Sequence, residues 1–177
     1  MALLTVGHGA ASAETFGALV GGAGLRLIVD VRRFPGSRRH PQFARDQLAR
    51  WLPEAGVGYR WEERLGGRRP GIPDSENVGL RNAAFRAYAD YMATPAFRSA
   101  LAQLLDDVAQ EPSAVMCAES LWWRCHRRLI ADAAALLHSV EVRHLMPDGR
   151  QQAHPPTAGA VVEDGVIVYR PPQPTLL

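Results

Sequence analysis

The chain has 177 residues, 47% of them hydrophobic and 21% charged, with a formal net charge of +2. That length and balance argue against disorder as the main state and leave room for one substantial core. All 20 basic residues are Arg, two cysteines are too few for a disulfide framework, and no apolar stretch suits a signal peptide or a membrane span, so a cytoplasmic protein without a membrane partner is expected.

Short apolar runs alternate with helical patterns, as in parallel strands joined by helices. Residues 3–6 read as a buried strand that ends at Gly7-His8-Gly9. Ser12 caps a helix carrying Phe16, Leu19 and Val20, which stops at Gly21-Gly22. Residues 27–31 form a second strand, and an Arg- and Pro-dense loop follows from Arg32 to Phe43. A helix from about Arg45 places Leu48, Trp51, Leu52 and Ala55 on one face, with Pro53 expected to kink or shorten it. Residues 58–61 suit a third strand, and a polar loop runs on to about Asn82.

Residues 83–92 read as a helix. Thr94-Pro95 restarts another, a capping hydroxyl before Pro at the first helical position. Residues 113–117 are the fourth strand, and Leu129, Ile130, Ala133, Leu136 and Leu137 mark one more amphipathic helix. Residues 140–145 are the fifth strand, closed by Pro147-Asp148-Gly149. The expected fold is therefore α/β: a single three-layer domain over 1–155, with a mostly parallel sheet of about five strands and helices on both faces. Residues 156–177 add a C-terminal β-hairpin and tail, turning at Glu163-Asp164-Gly165.

In an open parallel sheet the carboxyl ends of the strands lie on one edge, where ligands bind. His8, Asp30, Arg32, Cys117 and Glu119 all fall at such ends. The segment from Cys117 to Arg128 runs from a strand end into a helix N-terminus, whose free N–H groups favour an anion. Cys117 with Arg124 and Arg127 nearby is expected to have a lowered thiol pKa. Rhodanese-like and cysteine-phosphatase loops are similar in arrangement, with one residue fewer between Cys and Arg. Inert packing of Cys117 and a structural ion-pair cluster of Glu119, Arg124 and Arg127 are the plainer alternatives. A third reading is a metal held by Cys117, Cys125, His126 and His8 or Glu119, although the spacing matches no familiar zinc pattern. Arg32 is expected to hold an anion, oriented by Asp30. Tyr88 or Tyr91 could present a hydroxyl to the crevice. Trp122 and Trp123 could form a stacking wall, and His144 is a further acid–base candidate.

Val6-Gly7-His8, Asp30-Val31-Arg32 with Pro35 and Ser37, Leu65-Gly66-Gly67, the stretch 85–92, Cys117-Ala118-Glu119, Cys125-His126-Arg127 and Pro147-Asp148-Gly149 occur in this order. Together they resemble the bacterial family catalogued as domain of unknown function 488, from the first strand to about His154. Gly9 stands where a Ser is usual and Trp122 where a Pro is common. The resemblance implies a compact α/β domain with an enzymatic role that is not assigned.

The expected function is an enzyme acting on an anionic substrate, phosphorylated, nucleotide or nucleic acid. Cys117, Glu119 and His8 are the catalytic candidates. Asp30, Arg32, Arg124, Arg127, His126, Tyr88 and Trp123 are the binding candidates. No metal or cofactor is included in that reading. The alternatives are a non-catalytic nucleotide or nucleic-acid binding module and a metal-binding structural domain.

Overall fold

The computed structural model describes residues 1–36 and 38–171; Ser37 and the tail after 171 lie outside the described residues. Five parallel strands form the sheet: β1 (Leu3–Gly7), β2 (Leu27–Asp30), β3 (Gly58–Trp61), β4 (Ser113–Cys117) and β5 (Val142–Leu145). A sixth strand, β6 (Gln151–Ala153), pairs antiparallel with β5, and the order across the sheet is β3-β2-β4-β1-β5-β6. The composition of 151–153, Gln-Gln-Ala, gives no strand signal. Its strand character comes from the turn at 147–149, which folds it back onto β5.

Helices α1 (Ala13–Gly22) and α2 (Arg45–Glu54) cover one face, and α3 (Ala83–Met92), α4 (Pro95–Gln110) and α5 (Arg127–His138) cover the other. The alternation of strand side chains divides the core accordingly. Leu4, Val6, Ile28, Ala114 and Met116 pack with Phe16, Val20, Leu48 and Leu52. Leu3, Val29, Val115 and Cys117 face Tyr88, Phe97, Leu104, Leu129 and Ile130. Each Val, Leu, Ile, Phe or Met side chain among them stabilises the fold by about 1.5–3 kcal/mol on burial.

The helix starts follow their capping chemistry. Ser12 accepts from the Thr15 N–H at 3.0 Å, Asn82 from Ala84 and Phe85, and Thr94 from Phe97 with Pro95 opening α4. Pro53 sits in the last turn of α2, which ends one residue later. The hairpin of β7 (Ala160–Glu163) and β8 (Val166–Tyr169) turns through Asp164 and Gly165, both at positive φ, and β8 lies against α3 and α5. No helix among the described residues is long and apolar enough to cross a membrane.

The topology locates the crevice. The chain leaves β1 and β2 toward helices on one face but leaves β4, which lies between them, toward α5 on the other. Neighbouring loops therefore diverge above the carboxyl end of β4 and open a gap there.

Candidate functional site

A pocket of about 500 Å³ occupies that gap. Its floor is made by Cys117 at the end of β4 and by Cys125 and His126 at the start of α5. Both cysteines are free and buried. The His126 Nδ1 lies 4.0 Å from the Cys117 Sγ and 3.7 Å from the Cys125 Sγ. The other ring nitrogen, Nε2, donates to the Val31 carbonyl at 3.0 Å. A carbonyl can only accept, so this bond assigns the N–H to Nε2 and leaves the Nδ1 lone pair turned toward the sulfurs. Gly67 makes the arrangement possible. A Cβ there would lie 3.1 Å from the His126 Nδ1, so only a glycine lets the backbone pass against the ring without pushing it.

The thiols do not behave as the residue pattern suggests. Cys117, expected to have a lowered pKa, is pushed up to about 12 by its hydrogen bond to Cys125 and by burial. Burial pushes Cys125 upward too, but the Cys117 thiol and the charge and backbone N–H of Arg127 outweigh it. They bring Cys125 down to about 7. The sulfur that gives up its proton first is therefore Cys125, beside the N-terminus of α5.

Behind the pocket, Arg32 is held by the protein itself. Its Nε and Nη2 bond to Asp30 at 2.8 and 2.6 Å, Nη2 also donates to the Phe43 carbonyl, and Nη1 faces the His8 Nε2 at 3.3 Å. Burial alone would lower Arg32, yet the bonds to Asp30 raise it above its ordinary value, and it stays charged. Arg32 lines the pocket as a committed group, and Asp30 is fully buried. His8 donates from Nδ1 to the Gly9 carbonyl and stacks on Phe43 with ring centroids 4.1 Å apart. Burial is the main cause that lowers its pKa to about 4. It is a neutral buttress whose lone pair already faces Arg32, and the structure does not bring it into the pocket.

Arg127, expected to bind substrate, is fully buried and donates to the carbonyls of Glu119 and Ser120. It props the loop after β4 and so positions Glu119, whose carboxylate accepts from the Leu121 N–H while lining the pocket. Tyr88 presents its ring rather than its hydroxyl. The O–H is spent on the Leu65 carbonyl at 2.6 Å, and the ring meets His126 edge-on. Trp123 is exposed on a neighbouring cavity of about 430 Å³. Arg124 does line the pocket, together with two arginines not expected there, Arg33 and Arg68. None of these three forms an ion pair among the described residues, and the buried Arg33 Nε has no partner there. A signal for Arg68 was present in the sequence: it follows Gly66-Gly67, the pair that lets this loop run close against Arg33 and His126.

His144 belongs to a different construction. Thr5 lies 2.6 Å from its Nδ1, its Nε2 meets the His154 Nδ1 at 2.9 Å, and the His154 Nε2 reaches Asp132 at 2.9 Å. Tyr169 and the Thr157 N–H also donate to Asp132. Because Asp132 accepts, the protons run one way: Thr5 to His144, His144 to His154, His154 to the carboxylate. Trp122 stacks on His144 with centroids 4.0 Å apart and closes the row, and with Trp123 it also lines the neighbouring cavity.

The chain belongs to the family described as Domain of unknown function DUF488, whose pattern matches residues 12–134. That span includes Asp30-Arg32, Gly66-Gly67 and both cysteines, and it leaves out His8, His144 and the hairpin. Neither a curated protein nor a solved structure matches the chain.

Proposed function

We propose that the protein is an enzyme acting on a substrate with a phosphate or comparable anionic group, bound in the pocket at the carboxyl ends of β2 and β4. One observation carries this reading. Arg33, Arg68 and Arg124, without ion-pair partners among the described residues, rim a pocket whose floor holds two sulfurs and a histidine nitrogen. An arginine offers a planar fork that matches phosphate or carboxylate, and three of them around one cavity leave charge for a ligand to neutralise. Glu119, the carboxylate lining the same pocket, is the group placed to move a proton.

A nucleotide fits the surroundings best. Phe85 borders both this pocket and the neighbouring cavity, where Trp123 and Arg128 offer stacking surfaces beside the anion site. The free thiols fit a reducing cytoplasm.

Calorimetric titration with inorganic phosphate, nucleoside monophosphates and a short single-stranded oligonucleotide tests this. A nucleotide should bind in competition with phosphate, and Arg124→Ala should weaken it about 10- to 100-fold, the worth of a charge-assisted hydrogen bond. No anion binding, or binding indifferent to Arg33→Ala, Arg68→Ala and Arg124→Ala, would overturn the reading. Preference for the oligonucleotide with a steep salt dependence and no turnover would make it a nucleic-acid binder instead.

A further inference from the structure

We infer that Cys117, Cys125 and His126 form an open Zn²⁺ site, with three protein ligands and a fourth position facing the arginine-rimmed pocket; this deepens the reading of that pocket as a substrate site and rests on it. The ligand atoms of all three lie within 4.8 Å of one another. Tetrahedral zinc with bonds of about 2.3 Å to sulfur and about 2.0–2.1 Å to nitrogen sets its ligand atoms roughly 3.6 Å (S to N) and 3.8 Å (S to S) apart. The observed S-to-N separations of 4.0 and 3.7 Å need a closure of only a few tenths of an ångström.

The histidine is oriented as a ligand would be. Its Nε2–H is anchored on the Val31 carbonyl, which fixes the tautomer, holds the ring and directs the Nδ1 lone pair at the two sulfurs. The neighbours of that lone pair are the two thiols, whose S–H groups are its only donors within reach and whose place as its partner a metal ion would take. Two thiolates and an imidazole are a donor set suited to zinc.

The fourth position stays open because, among the described residues, neither His8 nor Glu119 joins the cluster of Cys117, Cys125 and His126. The His8 Nε2 faces Arg32, and one Glu119 oxygen accepts from the Leu121 N–H. Three protein ligands with an open position distinguish a reactive zinc centre from a structural one, which is closed by four. Two thiolates would neutralise the ion, so attraction for an anionic substrate would come from Arg33, Arg68 and Arg124, while the metal supplies a Lewis-acidic position for a water or a substrate oxygen. The unfamiliar ligand spacing has a topological reason. Cys117 ends a strand, Cys125 and His126 begin the next helix, and the loop between them wraps around Arg127 instead of forming a compact knuckle.

The test uses the full chain, isolated under reducing conditions without chelator. Elemental analysis should find one zinc per chain in the wild type, and none in Cys117→Ser or Cys125→Ser. After the zinc is stripped, Co²⁺ should give the absorption of a tetrahedral thiolate complex, displaced by Zn²⁺ and altered by inorganic phosphate. Should the variants fail to fold, the wild type still decides: zinc should protect both cysteines from alkylation, and chelation should release them together. Absence of metal with no cobalt spectrum overturns the inference, as does isolation as a metal-free Cys117–Cys125 disulfide. If that metal-free chain nevertheless binds phosphate through its arginines, the substrate reading stands alone. A cobalt spectrum indifferent to phosphate in a chain that binds no anion would overturn both the open position and the substrate reading, leaving a structural metal.

Discussion

Two buried histidine clusters lie in the same small protein and differ in how completely their polar atoms are answered. In the row Thr5–His144–His154–Asp132–Tyr169 each donor meets an acceptor, and the row joins β1, β5, α5 and β8 into one unit. Around His126 the opposite holds. Two thiols and a ring nitrogen face one another, and three arginines above them have no carboxylate partner among the described residues. Of these arginines only Arg33 has a buried nitrogen without a partner, while Arg68 and Arg124 are exposed and keep their charge for whatever enters the pocket. A saturated row has nothing left to offer a ligand, and its contribution is to stability.

The largest effect should come from breaking the saturated row. Asp132→Ala leaves the Tyr169 hydroxyl, His154 and the Thr157 N–H without an acceptor, and at about 1–3 kcal/mol for each orphaned buried group the loss should exceed about 3 kcal/mol. Urea denaturation followed by circular dichroism measures it; a loss below 1 kcal/mol would show that the row is not structural. Tyr169→Phe removes one bond of the three and should cost about 1–3 kcal/mol by the same assay.

Acid should act next, on His144 in that row and on His8 beside Arg32. Burial is the leading cause that holds His144 down to about 3 and His8 down to about 4, whereas both titrate near 6.5 when exposed. Between those values the unfolded chain binds protons that the native chain refuses. Stability should therefore fall as pH drops from 6.5 toward 4, by up to about 1.4 kcal/mol per pH unit for each ring. Denaturation midpoints at pH 7, 6 and 5 give the slope, and His144→Asn should remove the share of it that this ring contributes, leaving that of His8. A flat wild-type profile would mean that the rings are not kept neutral. The smallest stability effect belongs to the open pocket. Arg124→Ala should change unfolding free energy by no more than about 0.5 kcal/mol, because the side chain is exposed and makes no ion pair, while anion affinity falls as stated above. A large stability loss there would erase the contrast between the two clusters.

The contrast also separates what the sequence made legible from what it did not. Local signals carried most of the fold: the Thr94-Pro95 restart, the Ser12 cap and the Asp164-Gly165 turn each act within a few residues and each is found in place. The convergence of Asp30 and Cys117 on one edge followed from parallel pairing. The assignment of arginines did not follow, because whether a guanidinium is spent or available depends on what folds over it. Arg32 and Arg127 stand nearest the strand end and the helix start, and the protein takes both for itself. Arg33 and Arg68, one in a loop and one after a glycine pair, are the ones left over. The buried row was illegible for a related reason. Asp132, His154 and Tyr169 are far apart in the chain and meet only through α5, the segment after β6, and β8.

That row has a consequence for biogenesis. Translation proceeds from the N-terminus, so Tyr169 leaves the ribosome after Thr5, Asp132, His144 and His154 have all been made. Until it arrives, one oxygen of Asp132 lacks its buried donor, and the face of α3 and α5 that β8 covers remains open to water. The pocket residues, all made earlier, can assemble while that helical face is still open. A nascent chain stalled before Val166 is thus expected to display a nearly finished site on an unfinished protein, and to be held by chaperones or cleared by proteases rather than released as a working fragment.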